Sequence, residues 1–162
     1  MIDYGIGDMN DDKNIALWNF GELVKTLITI SSDAKRQCEI IGIGAVADEM
    51  ALDYESYYSL WANLFLEYGL INESQKNKLD ELDLFFGIRS GKACPEFWDD
   101  DNLETNEDWR IARKKAKEAL IDLGYDNLTI EFERKEKFDY SLFKKELVSQ
   151  WTKTRLVKKN DR

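Results

Sequence analysis

Along most of the chain, apolar residues return every three, four or seven positions, the period of helices that bury one face. In Asn14–Leu27, the candidate core residues are Ile15, Leu17, Trp18, Leu23 and Leu27. The overlapping run Leu23–Ile30, LVKTLITI, is rich in β-branched residues, so a strand is an open alternative there. Ser32 stands where it would cap a short helix over Asp33–Ile41. Val46, Met50, Tyr57, Trp61, Leu64 and Tyr68 predict one long helix over Val46–Tyr68, stopped by Gly69. Asn72 with Gln75 three residues on forms a capping box, and Leu79, Leu82 and Phe86 then share a face. Gly87, Gly91 and Pro95 break the chain beyond that helix. Thr105 with Asp108 makes a second capping box, ahead of a stripe of Trp109, Ala112, Ala116, Leu120 and Leu123 that ends at Gly124.

The period changes to two at Leu128–Glu133, LTIEFE, which predicts a half-buried strand. A lone strand is unstable, so this one must pair with the N-terminal segment, with LVKTLITI or with another protein. Asp139 would cap a last helix carrying Phe143, Leu147 and Trp151, and the basic tail 153–162 is expected to fray. No linker or internal repeat divides the chain. The pattern predicts one globular domain over 1–162, mostly α with at most a small β element near 128–133; an α+β fold is the alternative.

Composition sharpens this picture. The hydrophobic share is 43%, with eight Phe, seven Tyr and five Trp, enough for a real core in 162 residues. There is no histidine, which removes the usual general base near neutral pH and every Ser-His or Cys-His nucleophile pair. Cys38 and Cys94 follow no zinc spacing and read as small buried residues with free thiols. The start, MIDYGIGDMNDDK, is acidic where a signal peptide is basic, and no apolar run approaches membrane-spanning length. These features predict a cytoplasmic protein with no membrane partner. Charge is segregated: residues 1–108 hold 8 Lys/Arg against 23 Asp/Glu, and residues 109–162 hold 15 against 9, within a net −9. The acidic part repels nucleic acid and attracts basic partners.

The densest acids lie in Pro95–Trp109, PEFWDDDNLETNEDW, with seven carboxylates and no base. Asp99, Asp100 and Asp101 invite a calcium reading, but an EF-hand begun at Asp99 would need glycine at Glu104 and glutamate at Arg110. Glu107 and Asp108 suit the first turn of a helix. Gly42-Ile-Gly-Ala-Val-Ala47 matches the dinucleotide-binding G-x-G-x-x-A, though Asp48 and Glu49 would then face the phosphates. Glu49 and Asp53, four residues apart beside Asp48, share a helix face as a solvated surface or as a seat for a partner's Lys or Arg. A two-metal site of the four-helix carboxylate kind would need Glu-x-x-His, which a chain without histidine lacks. Two candidate partner-binding patches result: Trp98 with Asp99, Asp100, Asp101 and Glu104, and Asp48 with Glu49 and Asp53. No cofactor or metal is expected.

Two pieces of the chain carry a resemblance. One is Ala47-Asp-Glu-Met-Ala-Leu-Asp53 and the aromatic-rich helix after it. The other is Trp98-Asp-Asp, then Trp109, Arg113, Ala116, Leu120 and Leu123-Gly124. Over roughly Ser31 to Gly124 the chain resembles the small acidic immunity proteins encoded beside bacterial polymorphic toxins, including those of contact-dependent growth inhibition systems. The resemblance implies a non-enzymatic protein that binds the C-terminal domain of its cognate toxin, often a basic nuclease, and blocks it in the cytoplasm. It transfers no catalytic residue. Two other classes stay open: an enzyme using carboxylates with a divalent metal, and an adaptor whose basic C-terminal part contacts nucleic acid.

Overall fold

The computed structural model describes residues 4–160, with side chains from residue 11 onward. Its elements are α1 (Tyr4–Ser31), α2 (Ala34–Ile41), α3 (Val46–Tyr54), α4 (Ala62–Glu67), α5 (Glu73–Gly87), α6 (Glu107–Leu123), β1 (Leu128–Tyr140) and β2 (Lys145–Lys158). The fold is mostly α with one small two-stranded antiparallel sheet.

Helix α1 absorbs LVKTLITI, because Leu23, Val24, Leu27, Ile28 and Ile30 are all buried. Cover on several sides lets packing override the β preference of the branched residues. Ile15, Leu17 and Trp18, expected inside, are exposed. Helix α2 starts one residue later than predicted: Asp33, not Ser32, caps it, its carboxylate accepting from the Arg36 N–H at 2.8 Å. Cys38 on this helix is exposed, against expectation, and Cys94 is half-buried.

The predicted long helix Val46–Tyr68 is broken by a wide π turn over Glu55–Ser59 between α3 and α4. The extra residue in that turn shifts the phase of the apolar stripe. Met50, Tyr54, Tyr58 and Phe65 are therefore buried, while Tyr57, Trp61, Leu64 and Tyr68 lie at the margin. The Asn72–Gln75 capping box of α5 forms in both directions, at 2.8 Å each. Leu79, Leu82 and Phe86 are buried as expected, with Phe85 beside them. At α6 the cap is Asn106, which accepts from the N–H groups of Asp108 and Trp109 at 2.9 and 3.2 Å, so the Thr105 box does not form. Trp109, Ala112, Ala116 and Leu120 are buried, and Gly124 closes the helix at φ 83°, a conformation costly for any side chain.

The predicted last helix does not exist. Phe143, Leu147 and Trp151 belong to a hairpin in which β2 returns along β1, Leu128 facing Lys158 and Tyr140 facing Lys145. This supplies the pairing that Leu128–Glu133 required, and it orders Lys153–Lys158, which were expected to fray. Asp161 and Arg162 lie outside the described residues. The root of the hairpin packs on the helices through Ile130, Phe132 and Leu156. Gln150 secures it further: its side-chain oxygen accepts from the Ile43 N–H at 2.8 Å, against Gly42 at φ 82°. A Cβ at Gly42 would lie 2.1 Å from that oxygen.

Trp109 is the keystone of the packing: fully buried, stacked on Phe97 at 4.5 Å and 2°, and donating from Nε1 to the Phe97 carbonyl at 2.7 Å. Trp109→Ala is expected to cost about 3–5 kcal/mol, read by urea unfolding. An unfolding midpoint equal to wild type would place the indole outside the cooperative core.

Candidate partner-binding groove

The acidic stretch 95–109 is held like a plug. Phe97 and Leu103 are buried, and the Trp98 Nε1–H donates to the Arg89 carbonyl at 2.6 Å. Arg89 in turn pairs with Asp108 at 3.0 Å and lies over the Phe85 ring at 3.6 Å. Glu107 is paired locally with Arg110. These two acids have the structural role that their place in the first turn of α6 suggested.

Asp100 decides the geometry. Its two carboxylate oxygens accept from the N–H groups of Val46 and Ala47, both at 2.9 Å. Helix α3 has no side-chain cap from its own N-cap residue, Ala45. A carboxylate from 53 and 54 residues away supplies the cap instead, bonding two orphan donors at the positive end of the helix. This also explains Gly42-x-Gly-x-x-Ala47: the N–H groups that would cradle a pyrophosphate in a nucleotide site are occupied by Asp100. Asp100 was expected to face a partner; instead, both its oxygens are committed inside the fold.

With the plug docked on α3, parts of both predicted patches meet. A groove of about 950 Å³ runs between α3, the π turn, the end of α5 and the plug. Its floor and walls include Leu52, Phe86 and Trp98, and its rim carries Asp48, Glu55, Asp83 and Asp99, with Lys92 the cation among the lining residues. Leu52 is 53% exposed, a large apolar side chain open to solvent in a groove that Asp48, Glu55, Asp83 and Asp99 also line. Asp83 is oriented by the Ser59 hydroxyl, which donates to it at 2.7 Å. Asp99 accepts from the Asp101 N–H at 3.0 Å and stiffens its own turn. Among the described residues, none of Asp48, Glu55, Asp83 and Asp99 forms an ion pair.

The remaining candidates go elsewhere. Asp101 and Glu104 are exposed on the plug without lining the groove. Glu49 and Asp53 sit on the opposite side of α3, in a second cleft of about 330 Å³ bounded by α1, α3 and the hairpin. There, burial first, then the charges of Glu49 and Glu22, push the Asp53 carboxyl up to about 6. Lys25 bonds Glu22 at 2.8 Å and the Thr154 carbonyl at 3.1 Å. Among the described residues, no group of three or more His, Cys, Asp or Glu is disposed to hold a metal ion.

Sequence reasoning missed Glu55, Asp83 and Leu52. Leu52 carried a signal, an apolar residue off the predicted stripe and four residues after Asp48. Glu55 and Asp83 carried none, because a π turn and a helix–helix contact place them. No protein-family model matches the chain, and no curated protein or solved structure is significantly similar to it.

Two stability effects are expected of this arrangement. Asp100→Ala should cost about 1–2 kcal/mol through the lost cap, seen as a lower melting temperature. An unchanged melt would mean that the α3 N–H groups are satisfied equally well by water. Asp53 ionises near 3.8 when unfolded and about 6 when folded, so the native state holds the proton more firmly between those values. Stability therefore falls as pH rises through that window and is level above it. Asp53→Asn should gain about 1–2 kcal/mol near pH 7, after allowance for solvent screening, and nothing near pH 4. Equal effects at both pH values in urea unfolding would contradict the shift.

Proposed function

We propose that the chain is an immunity-type inhibitor that binds a basic toxin domain at the groove between α3 and the plug. The observation that carries this reading is the junction of an apolar lining, the exposed Leu52 and the half-buried Trp98, with carboxylates that have no ion-pair partner among the described residues. Charge alone gives little affinity, since exposed ion pairs contribute about 0–1 kcal/mol each. Apolar anchors at the centre supply the desolvated contacts on which tight interfaces depend. The rim gives speed and selectivity, because complementary fields steer encounter. A nuclease gathers cations along the track of its substrate's phosphates. The groove's carboxylates, two of them oriented by the Ser59 hydroxyl and the Asp101 N–H, would occupy those cations and close the site. The function asks for no reaction on this chain and for no cofactor, and its place of action is the cytoplasm.

Asp53 favours a second reading, since a cleft carboxyl lifted to about 6 is suited to general acid–base work. The two separate cleanly, because Asp53 lies outside the groove. In the inhibitor reading Asp53→Asn leaves partner binding at the wild-type level.

The test is co-expression with the C-terminal domain of the toxin encoded next to this chain's reading frame. Growth should be preserved by wild type and lost with the combined Asp48→Lys, Glu55→Lys and Asp99→Lys substitutions. In stopped-flow mixing, these reversals should slow association by about tenfold or more at low salt. Leu52→Ala should instead quicken dissociation. Wild-type protection and wild-type rates in all these variants would remove the groove from the interface. Lack of protection by the wild-type protein would remove the inhibitor reading itself.

A further inference from the structure

The hairpin leaves the helical body well before its tip. Its inner face touches the helices as far as Arg134, which donates to the Glu39 carbonyl at 2.6 Å, and Gln150. Beyond that point it runs to a turn where Leu142 and Phe143 are each 95% exposed. A two-stranded ribbon is marginal by itself in water, and both its edges present unpaired backbone groups.

The direction of those groups can be read off three bonds. Lys159 N–H donates to the Asn127 carbonyl, so odd-numbered residues of β1 turn their backbone toward β2. Arg36 reaches the Ile130 carbonyl from outside at 2.6 Å, and Lys25 reaches Thr154 likewise on β2. Even-numbered residues of β1 therefore direct N–H and C=O outward. The Ile130 carbonyl is already capped by Arg36. Phe132, Arg134 and Glu136 make no backbone bond to any other element among the described residues.

Side chains of the odd residues stand on the face away from the helices, and their charges have an order: Glu131, Glu133, Lys135, Lys137. That order is antisymmetric about Arg134. We propose that two copies of this chain pair edge to edge through β1, antiparallel about a two-fold axis at Arg134, to form a four-stranded sheet. In this register Arg134 faces its counterpart and Phe132 faces Glu136, so outward N–H and C=O groups meet as bonded pairs. On the outer face Glu133 then stands opposite Lys135, and Glu131 opposite Lys137, each twice by symmetry. A slip of the pairing by two residues in one sense sets Glu133 against the Glu133 of the second copy, and in the other Lys135 against the Lys135 of the second copy. Only the central register has every outer pair attractive. The two Arg134 side chains do not meet head-on, because each guanidinium is tied to its own Thr152 hydroxyl and to the Glu39 and Ile40 carbonyls at the end of α2. This pairing is independent of any ligand of the acidic groove.

Sedimentation velocity of the full chain across micromolar concentrations tests it. Wild type should sediment at twice the chain mass, with a concentration-dependent approach to monomer on dilution. K135E/K137E makes the outer face of β1 all acidic, keeps the Glu131–Arg155 pair and should weaken the dimer by about tenfold or more. E131K/E133K makes it all basic and should do the same. A mixture of the two variants should restore dimers, because every outer pair is then opposite in charge. Circular dichroism melts confirm that each variant is folded, and K135E/K137E alone remains a sufficient test if E131K/E133K is not. A monomeric wild type at the highest concentration, an undiminished dimer in K135E/K137E, or two folded variants that fail to combine would overturn the proposal.

Discussion

The arrangement turns on one carboxylate placed on the end of one helix. Asp100 reaches across the fold to the first turn of α3 and bonds the N–H groups of Val46 and Ala47. A helix start buried without such a partner would leave polar groups stranded, at a cost comparable to a lost hydrogen bond for each. Satisfying it from a distant segment does more than stabilise α3. It fixes the acidic plug in register with the helix, and only then do Asp48, Leu52, Trp98 and Asp99 line the same groove.

That constraint also explains how so acidic a surface is held with so few internal cations. The plug is anchored by Phe97, Leu103 and Trp109, and by indole N–H bonds to backbone carbonyls, none of which depends on charge neutralisation. Glu107 and Asp108 are matched by Arg110 and Arg89, so the repulsion at the base of the plug is relieved. The carboxylates around the groove stay solvated, where they cost little in isolation and attract at a distance.

Much of the fold was legible where sequence and structure are joined by local bonds. The Asn72–Gln75 box, the stripe from Trp109 to Leu120 and the stop at Gly124 needed only neighbours in the chain. Legibility failed where a distant contact decided. Phe143, Leu147 and Trp151 keep a helical spacing, yet Val148, Thr152, Thr154 and Val157 favour a strand, and pairing with β1 settled the conflict. The π turn at Glu55–Ser59 moved the buried positions off the simple period and brought Glu55 to the groove. Of the predicted partner-binding residues, Asp48, Trp98 and Asp99 converge. Glu49 and Asp53 face another cleft because they lie on the other side of α3, and Asp100 was spent on capping, which nothing in PEFWDDDNLETNEDW distinguishes from its neighbours.

The most direct measurement is amide hydrogen exchange at Val46 and Ala47 in the wild-type protein. The first N–H groups of a helix ordinarily exchange with water freely, since no carbonyl within the helix bonds them. If Asp100 holds them, both should exchange slowly, at rates set by opening of the plug and matching those of amides in the core of α3. Exchange as fast as at an uncapped helix start would show that the plug is not fastened to α3, and the groove would lose the contact that forms it.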